Sequence, residues 1–170
     1  MISYIVATDR KGAIGKNNLI PWRIRSDLVL LKQLTLNNVV ILGRKTYDSM
    51  AAYYERSGRQ MPGRLYVVIT REAAYTPKQD NVVVAHSPDD ALKQANQAEN
   101  DIFVIGGSQI YKLLMPYADR IYLTEVDTIV NGDTFFSFDK RKWHETSRLH
   151  HEKSDRDEYD FDTVTFDRIA

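Results

Sequence analysis

One acidic residue offers the most specific chemistry in this sequence. Asp27 follows Pro21-Trp22 and is followed by a helical pattern of apolar residues that includes Leu28 and Leu31. A carboxylate enclosed by apolar side chains needs a hydrogen-bonding partner, or it takes up a proton. A ligand with an N–C–NH2 edge, such as an aminopteridine, would supply two donors to its two oxygens. The alternative is that Asp27 only favours the helix N-terminus, as acidic residues in a first turn often do.

Two glycine-containing turns offer a different chemistry, the binding of phosphate. Gly43-Arg44-Lys45-Thr46 follows the apolar run 39–42, and Gly106-Gly107-Ser108 follows the run 102–105. Where a strand turns through glycine into a helix, backbone N–H groups and the positive end of the helix dipole face an anion. Thr70-Arg71 ends a third strand and adds a cation that suits the 2′-phosphate of NADP.

Each of these turns is also compatible with an ordinary strand-to-helix connection or a solvated loop, and neither glycine turn has the GxGxxG spacing. Taken together, two phosphate-binding turns in one small chain match the two phosphates of a dinucleotide.

Short apolar runs alternate with helical patterns along the chain. This alternation predicts an α/β fold with a mainly parallel central sheet flanked by helices, and the tail 143–168 predicts a C-terminal antiparallel hairpin. A helix beginning at Ser26 or Asp27 carries the acidic residue, and Ser87-Pro88 marks the start of another. The predicted strands cover 2–7, 39–42, 64–70, 82–85, 102–105 and 120–126, and the other helices cover 44–50, 88–98 and 108–115. We expect 51–61 to be irregular and the whole range 1–170 to form a single domain.

Composition restricts the partners and the location. The 170 residues include 23 basic and 23 acidic side chains and no cysteine. The charges balance, so nothing indicates binding to nucleic acid or an anionic membrane, and no apolar run approaches a membrane span. The lack of cysteine excludes disulfides and thiolate metal sites and fits a cytoplasmic protein. His150-His151 lacks a third ligand nearby in the sequence, so we expect no metal site.

Motifs spread over nearly the whole chain resemble the dihydrofolate reductase family. They are Ala13-Ile14-Gly15, Asn18, Pro21-Trp22, Asp27-Leu28, Gly43-Arg44-Lys45-Thr46-Tyr47, Pro62-Gly63-Arg64, Val104-Ile105-Gly106-Gly107, Ile110-Tyr111, Tyr122-Leu123-Thr124 and Gly132-Asp133-Thr134-Phe135-Phe136. The resemblance is to the bacterial type, although the segment 51–60 is longer than in compact members.

The resemblance implies an oxidoreductase that uses NADPH to reduce 7,8-dihydrofolate to 5,6,7,8-tetrahydrofolate. Hydride is transferred to pterin C6 and a proton reaches N5. The resemblance further implies a monomer that binds antifolates such as methotrexate. Two alternatives remain open: a reductase for another pterin or a riboflavin-pathway pyrimidine, and a non-catalytic module that binds NADPH or folate.

The same resemblance implies roles for individual residues. The residues at the reaction centre are Asp27, Trp22 and Tyr111. The folate is bound by Ile5, Val6, Asp27, Leu28, Leu31, Met50, Met61, Arg64 and Thr124. The nicotinamide is surrounded by Ala7, Ile14, Ile105 and Tyr111, and the adenosine-side phosphates meet Arg44, Lys45, Thr46 and Arg71. The remaining cofactor contacts are Gly15, Asn18, Ile20, Gly43, Thr70, Gly106, Gly107, Ser108, Gln109 and Ile110. A cis peptide is implied at Gly106-Gly107, and a lid at residues 9–23.

Overall fold

The computed structural model describes all 170 residues. The strands are β1 (Ile2–Thr8), β2 (Ala13–Gly15), β3 (Val39–Gly43), β4 (Leu65–Ile69), β5 (Val82–Ala85), β6 (Ile102–Val104), β7 (Arg120–Val126), β8 (Thr134–Phe135), β9 (Trp143–His151) and β10 (Phe161–Arg168). The helices are α1 (Arg25–Thr35), α2 (Arg44–Ser57), α3 (Pro88–Asn96) and α4 (Ser108–Leu114), with short 3₁₀ helices at Met115–Tyr117 and Lys140–Lys142. No helix has the length and apolar content needed to cross a membrane.

The chain divides into two compact units. The first comprises residues 1–2 and 32–117, and the second comprises residues 3–31 and 118–170. The prediction of a single domain stays a prediction, and each unit is described by itself.

The first unit contains parallel strands in the order β5-β4-β3-β6. The run Val39–Leu42 on β3 is fully buried, as expected for a strand that lies between two neighbours. Helix α3 packs against β4 and β5. Its predicted cap is confirmed, because the Ser87 side chain accepts a hydrogen bond from the Asp90 backbone N–H at 3.1 Å.

The second unit contains the strands β1, β7, β10 and β9 in that order. Strands β1 and β7 are parallel, whereas β10 is antiparallel to both β7 and β9. The mostly parallel strands, the helices between them and the C-terminal hairpin together confirm the predicted α/β fold class. The register places Ala7 opposite Thr124, which matters for the site described below.

Helix α2 is longer than predicted. Residues 51–57, which we expected to be irregular, continue the helix that begins at Arg44. The prediction was wrong because polarity was taken as a sign of irregular structure, although this stretch contains no glycine or proline before Gly58 and its residues are compatible with helix. Gly58 ends the helix in the left-handed conformation, with φ at 66° and its N–H bonded to the Glu55 carbonyl.

The first turn of α1 is capped from a distant part of the chain. The helix begins at Arg25, and the acceptor is the carboxylate of Asp157, which is 131 residues from Ser26. The Ser26 N–H donates to Asp157 Oδ1 at 3.0 Å and the Ser26 hydroxyl donates to Oδ2 at 2.8 Å. Ser154 donates to Oδ2 through its N–H at 3.0 Å and its hydroxyl at 2.8 Å. Burial of Asp157 would raise its pKa, but these hydrogen bonds outweigh burial and lower the pKa to about 2.

We predict that Asp157→Ala destabilises the protein at pH 7 by roughly 1–2 kcal/mol, the usual cost of losing a helix cap. The folded-state pKa lies below the unfolded value of about 3.9, so the stabilisation is complete above that value and is lost as the pH falls towards 2. Urea unfolding of both proteins at pH 7 and pH 2.5 measures the difference. Asp155→Ala, an exposed carboxylate in the same loop, is the control. An equal effect of the two substitutions at pH 7 would contradict the capping role.

Candidate active site

The second unit contains a carboxylate with an unusual environment. Asp27 lies in the first turn of α1, and its Oδ1 accepts a hydrogen bond of 2.6 Å from the Thr124 hydroxyl on β7. Burial raises the pKa of Asp27; the Thr124 hydrogen bond lowers it, and the negative charge of Asp157 raises it further. The net result is a carboxyl group whose pKa is above its usual value, and perturbed carboxyl groups of this kind are frequent at functional sites.

The surroundings of this carboxylate combine buried and exposed apolar residues. Ile5 and Val6 on β1 are buried, and Ala7 lies opposite Thr124 and packs with the cluster that contains Trp22. Leu28 is 40% exposed. Leu31 is partly buried. Strands β1 and β7 and helix α1 therefore place seven predicted folate or cofactor residues in this unit: Ile5, Val6, Ala7, Asp27, Leu28, Leu31 and Thr124. Trp22, predicted at the reaction centre, lies just before α1 in the same unit.

Two further carboxylates hold the predicted lid, residues 9–23, in place within the second unit. Asp9 is 1% exposed and accepts backbone hydrogen bonds from Lys11, Ala13 and Val130 at 2.8–2.9 Å. Asp133 accepts from the Asn17 N–H at 2.9 Å, and its own N–H donates to the Gly15 carbonyl at 3.0 Å. These contacts hold the short ladder between β2 and β8, which the sequence did not predict.

Four predicted cofactor residues lie along this lid. Ile14 and Gly15 belong to β2, and Asn18 has a positive φ of 62° in the tight turn between Lys16 and Leu19. Ile20 is 65% exposed and lines an open groove of about 440 Å³ that also contacts Trp22.

The first unit brings the two predicted glycine turns together. The Gly43 N–H donates to the Gly106 carbonyl at 2.8 Å, and the Gly106-Gly107 peptide is cis, as the resemblance implied. A Cβ on Gly43 would approach Ile110 to 3.2 Å, and one on Gly107 would lie 3.6 Å from the Thr46 hydroxyl. Neither α2 nor α4 has a side-chain cap, so the turns before Arg44 and Ser108 present two helix N-termini side by side.

Of the cations beside these turns, Arg44 is held by two carboxylates, Asp48 and Glu72. One guanidinium nitrogen of Arg44 bonds to Asp48 at 3.0 Å, and another lies 3.4 Å from Glu72. The Glu72 N–H donates to the Thr70 hydroxyl at 3.1 Å. The end of β4 therefore lies beside the start of α2, while Lys45 and Arg71 are exposed and able to meet an anion from solution.

The other predicted cofactor residues near the cis peptide are Ile105, which precedes it, and residues at the start of α4. Ile110 and Tyr111 are buried, and a Cβ on Gly106 would approach the Tyr111 ring to 3.1 Å. Ile105 packs with the buried cluster that contains Leu42 and Tyr47. Ser108 and Gln109 form the first turn of α4.

Arg64 lies in a turn that is held by hydrogen bonds to Tyr66 and Asn38. The Gly63 N–H donates to the hydroxyl of Tyr66 at 2.7 Å, and the Arg64 N–H donates to the Asn38 carbonyl at 2.9 Å. Tyr66 is fully buried, and a Cβ on Gly63 would approach its ring to 2.7 Å, so only glycine fits there. The Arg64 side chain is exposed, whereas Met50 and Met61 pack on the cluster that contains Tyr66.

Comparisons with known proteins decide the family. The family model described as dihydrofolate reductase matches residues 1–168. The chain is 38% identical to dihydrofolate reductase type 3 of Salmonella typhimurium, covering 99% of this chain and 98% of that protein. It is 37% identical to dihydrofolate reductase of Staphylococcus haemolyticus, with coverage of 99% and 96%.

The chain belongs to the dihydrofolate reductase family. The dihydrofolate reductase of Enterococcus faecalis, solved in complex with NADP(H) and RAB-propyl, superposes with a TM-score of 0.87 at 31% identity. The match covers 100% of this chain and 97% of that one, which confirms the fold class predicted from the sequence.

Four residues that support the family's site were not predicted from the sequence. Asp9, Asp133 and Asp157 bind backbone N–H groups, and Tyr66 holds the turn before Arg64. Asp9 precedes Gly12 in a turn-like stretch of sequence. An Asp in such a position often accepts hydrogen bonds from the backbone N–H groups that follow it, so this residue could have been predicted. Asp133 falls within a quoted family motif, but Asp157 and Tyr66 have no local signal.

The raised pKa of Asp27 predicts that its ionised form costs stability. The cost is absent below the unfolded pKa of about 3.9, grows as the pH rises through the folded-state pKa, and is constant above it. Asp27→Asn should therefore be more stable than the wild type at pH 7 and should melt at a higher temperature. The gain should shrink at pH 4.

Thr124→Val is the matched control, because it removes the donor to Asp27 and leaves the carboxylate in place. It should melt below the wild type at pH 7. If Asp27→Asn instead melts below the wild type at pH 7, the assignment of a strained carboxylate is wrong.

Proposed function

We propose that this protein catalyses the NADPH-dependent reduction of 7,8-dihydrofolate to 5,6,7,8-tetrahydrofolate. The observation that carries the proposal is the Asp27–Thr124 pair, a partly buried carboxylate that is hydrogen-bonded to a hydroxyl and has a raised pKa. Membership in the dihydrofolate reductase family and the names of its relatives favour dihydrofolate over another pterin or a pyrimidine.

Asp27 binds the pterin edge in this proposal. Its two carboxylate oxygens accept hydrogen bonds from the pterin N3–H and the 2-amino group, which replace the water that burial removed. The Thr124 hydroxyl, already 2.6 Å from Oδ1, fixes the rotation of the carboxylate. The pterin ring would lie against Ile5, Val6, Leu28 and Leu31. Met50 and Met61 are also assigned to the folate.

The residues of the first unit fit the pyrophosphate of NADPH. Their glycine turns leave space that a Cβ would fill, and two helix N-termini without side-chain caps supply N–H donors to anions. Thr46 would add a hydroxyl and Arg44 a charge. Lys45 and Arg71 would meet the adenosine-side phosphates, including the 2′-phosphate that distinguishes NADPH from NADH. Further contacts to the cofactor are assigned to Gly15, Asn18, Ile20, Gly43, Thr70, Gly106, Gly107, Ser108, Gln109 and Ile110.

When bound, NADPH supplies the hydride that reaches pterin C6. The residues assigned to the nicotinamide are Ala7, Ile14, Ile105 and Tyr111, whose side chains would exclude water from it. Asp27 orients and polarises the pterin, and solvent delivers the proton to N5, with Trp22 ordering a water molecule near the reacting atoms. Within the site proposed here, Asp27 is the ionisable side chain assigned to the pterin, so catalysis depends chiefly on alignment and charge.

We also propose that the enzyme acts as a cytoplasmic monomer and binds antifolates such as methotrexate, whose diaminopteridine ring, when protonated, also presents two adjacent donors to Asp27. The balanced charge and the absence of cysteine support the location and argue against nucleic acid and membrane partners.

The test of this function is the oxidation of NADPH in the presence of dihydrofolate, followed by absorbance. Asp27→Asn should lower kcat/KM at pH 7 by roughly 100-fold or more, because a neutral amide cannot accept both pterin donors. Asp155→Asn, at an exposed site, should match the wild type. A wild type that binds NADPH but does not oxidise it with dihydrofolate would be a binding module, and near-wild-type turnover by Asp27→Asn would remove the role of Asp27.

We predict that Arg64 binds the α-carboxylate of the folate glutamate tail. Arg64→Leu should raise KM for dihydrofolate roughly 10- to 100-fold with a smaller effect on kcat, since the lost contact lies far from the hydride. Arg64→Lys should recover only part of the loss, because Lys cannot form two parallel hydrogen bonds.

A reduced pterin that lacks the glutamate tail is the control substrate for the same variants. Its kcat/KM should be nearly the same in the wild type and in Arg64→Leu. Equal losses for the full and the truncated substrate would mean that Arg64 supports the fold rather than the folate tail.

A further inference from the structure

The loop between β9 and β10 is bound to the segment that carries Asp27. Asp157 in this loop forms a β-bridge with Ile24, and the Glu158 N–H donates to the Arg23 carbonyl at 2.9 Å. The Asp157 carboxylate then accepts two hydrogen bonds from Ser26, the residue before Asp27. The end of the lid and the first turn of α1 are thus both fixed by one loop from the other end of the chain.

Asp157 is buried, with 7% of its surface exposed, yet it remains ionised at any working pH because its pKa is about 2. Its hydrogen bonds with Ser26 and Ser154 hold the charge in one place. A fixed negative charge near a second carboxylate disfavours ionisation of that second group and favours a ligand edge rich in N–H donors or carrying positive charge.

The other charged groups near Asp27 in this unit are accounted for. Arg23 and Arg25 flank it in the chain, and Glu158 follows Asp157. Glu125 on β7 lies next to Thr124 but is 3.8 Å from Arg148, which also pairs with Glu145 and Asp162. The negative charge of Asp157 raises the pKa of Asp27, after the larger effects of burial and of the Thr124 hydrogen bond.

We propose that Asp157 is a positioning residue for the pterin-binding carboxylate: its hydrogen bonds with Ser26 fix the helix turn that presents Asp27 and hold a permanent negative charge beside that turn. The effect of Asp157 on catalysis rests on the proposed function. The structural relation between the two carboxylates is testable in the protein without substrate.

The direct test is a ¹³C NMR titration of the Asp27 carboxyl carbon in the full-length, ligand-free protein. Asp157→Asn keeps an amide oxygen to cap α1 and removes the charge. The titration midpoint of Asp27 should fall by roughly 0.5–1 pH unit, as expected for the loss of one nearby, partly screened charge. Asp155→Asn, in the same loop but exposed, should leave the midpoint within about 0.2 unit.

An unchanged Asp27 midpoint in Asp157→Asn would overturn the proposal, and so would an equal shift in Asp155→Asn. Should Asp157→Asn fail to fold, Asp157→Ser keeps a capping hydroxyl without the charge and carries the same expected and overturning results.

The pH profile of kcat/KM for dihydrofolate separates this proposal from the proposed function. The acid limb should move to lower pH in Asp157→Asn by the same amount as the NMR midpoint, because kcat/KM reports groups of the free enzyme. Ser26→Ala removes a hydroxyl that positions the turn but leaves both charges. It should lower kcat/KM without moving the acid limb, and a moved acid limb in that variant would contradict the charge assignment. A wild type without dihydrofolate reductase activity would defeat the proposed function while the NMR result still decided the relation between Asp157 and Asp27.

Discussion

The second unit is organised around a carboxylate that the fold already partly buries, at a cost to its ionised form, before any ligand arrives. Ionised Asp27 has the Thr124 hydroxyl as a hydrogen-bonding partner, and burial makes its charge costly. The fold supplies this arrangement through a helix start capped by Asp157 and a strand pairing that places Ala7 beside Thr124. In the proposed function, a pterin edge with two donors would relieve this cost on binding, so that part of the stability given up in the free protein would become affinity and orientation for the substrate.

The first unit offers backbone N–H groups, rather than side chains, as the main donors to phosphate. Gly43 and the Gly106-Gly107 pair allow two helix N-termini to lie close together, joined by the hydrogen bond from the Gly43 N–H to the Gly106 carbonyl. Backbone N–H groups bind phosphate oxygens without the entropy loss of ordering long cationic side chains. Arg44 is a long cationic side chain that would lose little of this entropy on binding, because Asp48 and Glu72 already hold its guanidinium in place.

The sequence predicted well whatever is determined by neighbours along the chain. The strand at residues 82–85 and the Ser87 cap were correct because apolar runs and capping residues act locally. The length of α2 was wrong because polar residues on an exposed helix resemble a loop in the sequence. The family resemblance identified Asp27 and Thr124 together, but the Asp157 cap was missed, since no local pattern reveals a partner 131 residues away. The ladder between β2 and β8 was missed for the same reason, because contacts with Asp9 and Asp133 stabilise it.

Asp27 is proposed to meet the pterin edge as a charged acceptor, and the ultraviolet spectrum of bound methotrexate reports whether it does. The measurement is made about two pH units above the pKa of the free drug, where the diaminopteridine ring in solution is neutral. An ionised Asp27 should make the ring bind in its protonated form, so the bound spectrum should be that of the protonated ring in the wild type and that of the neutral ring in Asp27→Asn. A bound spectrum of the neutral ring in the wild type, or the same spectrum in both proteins, would contradict the account.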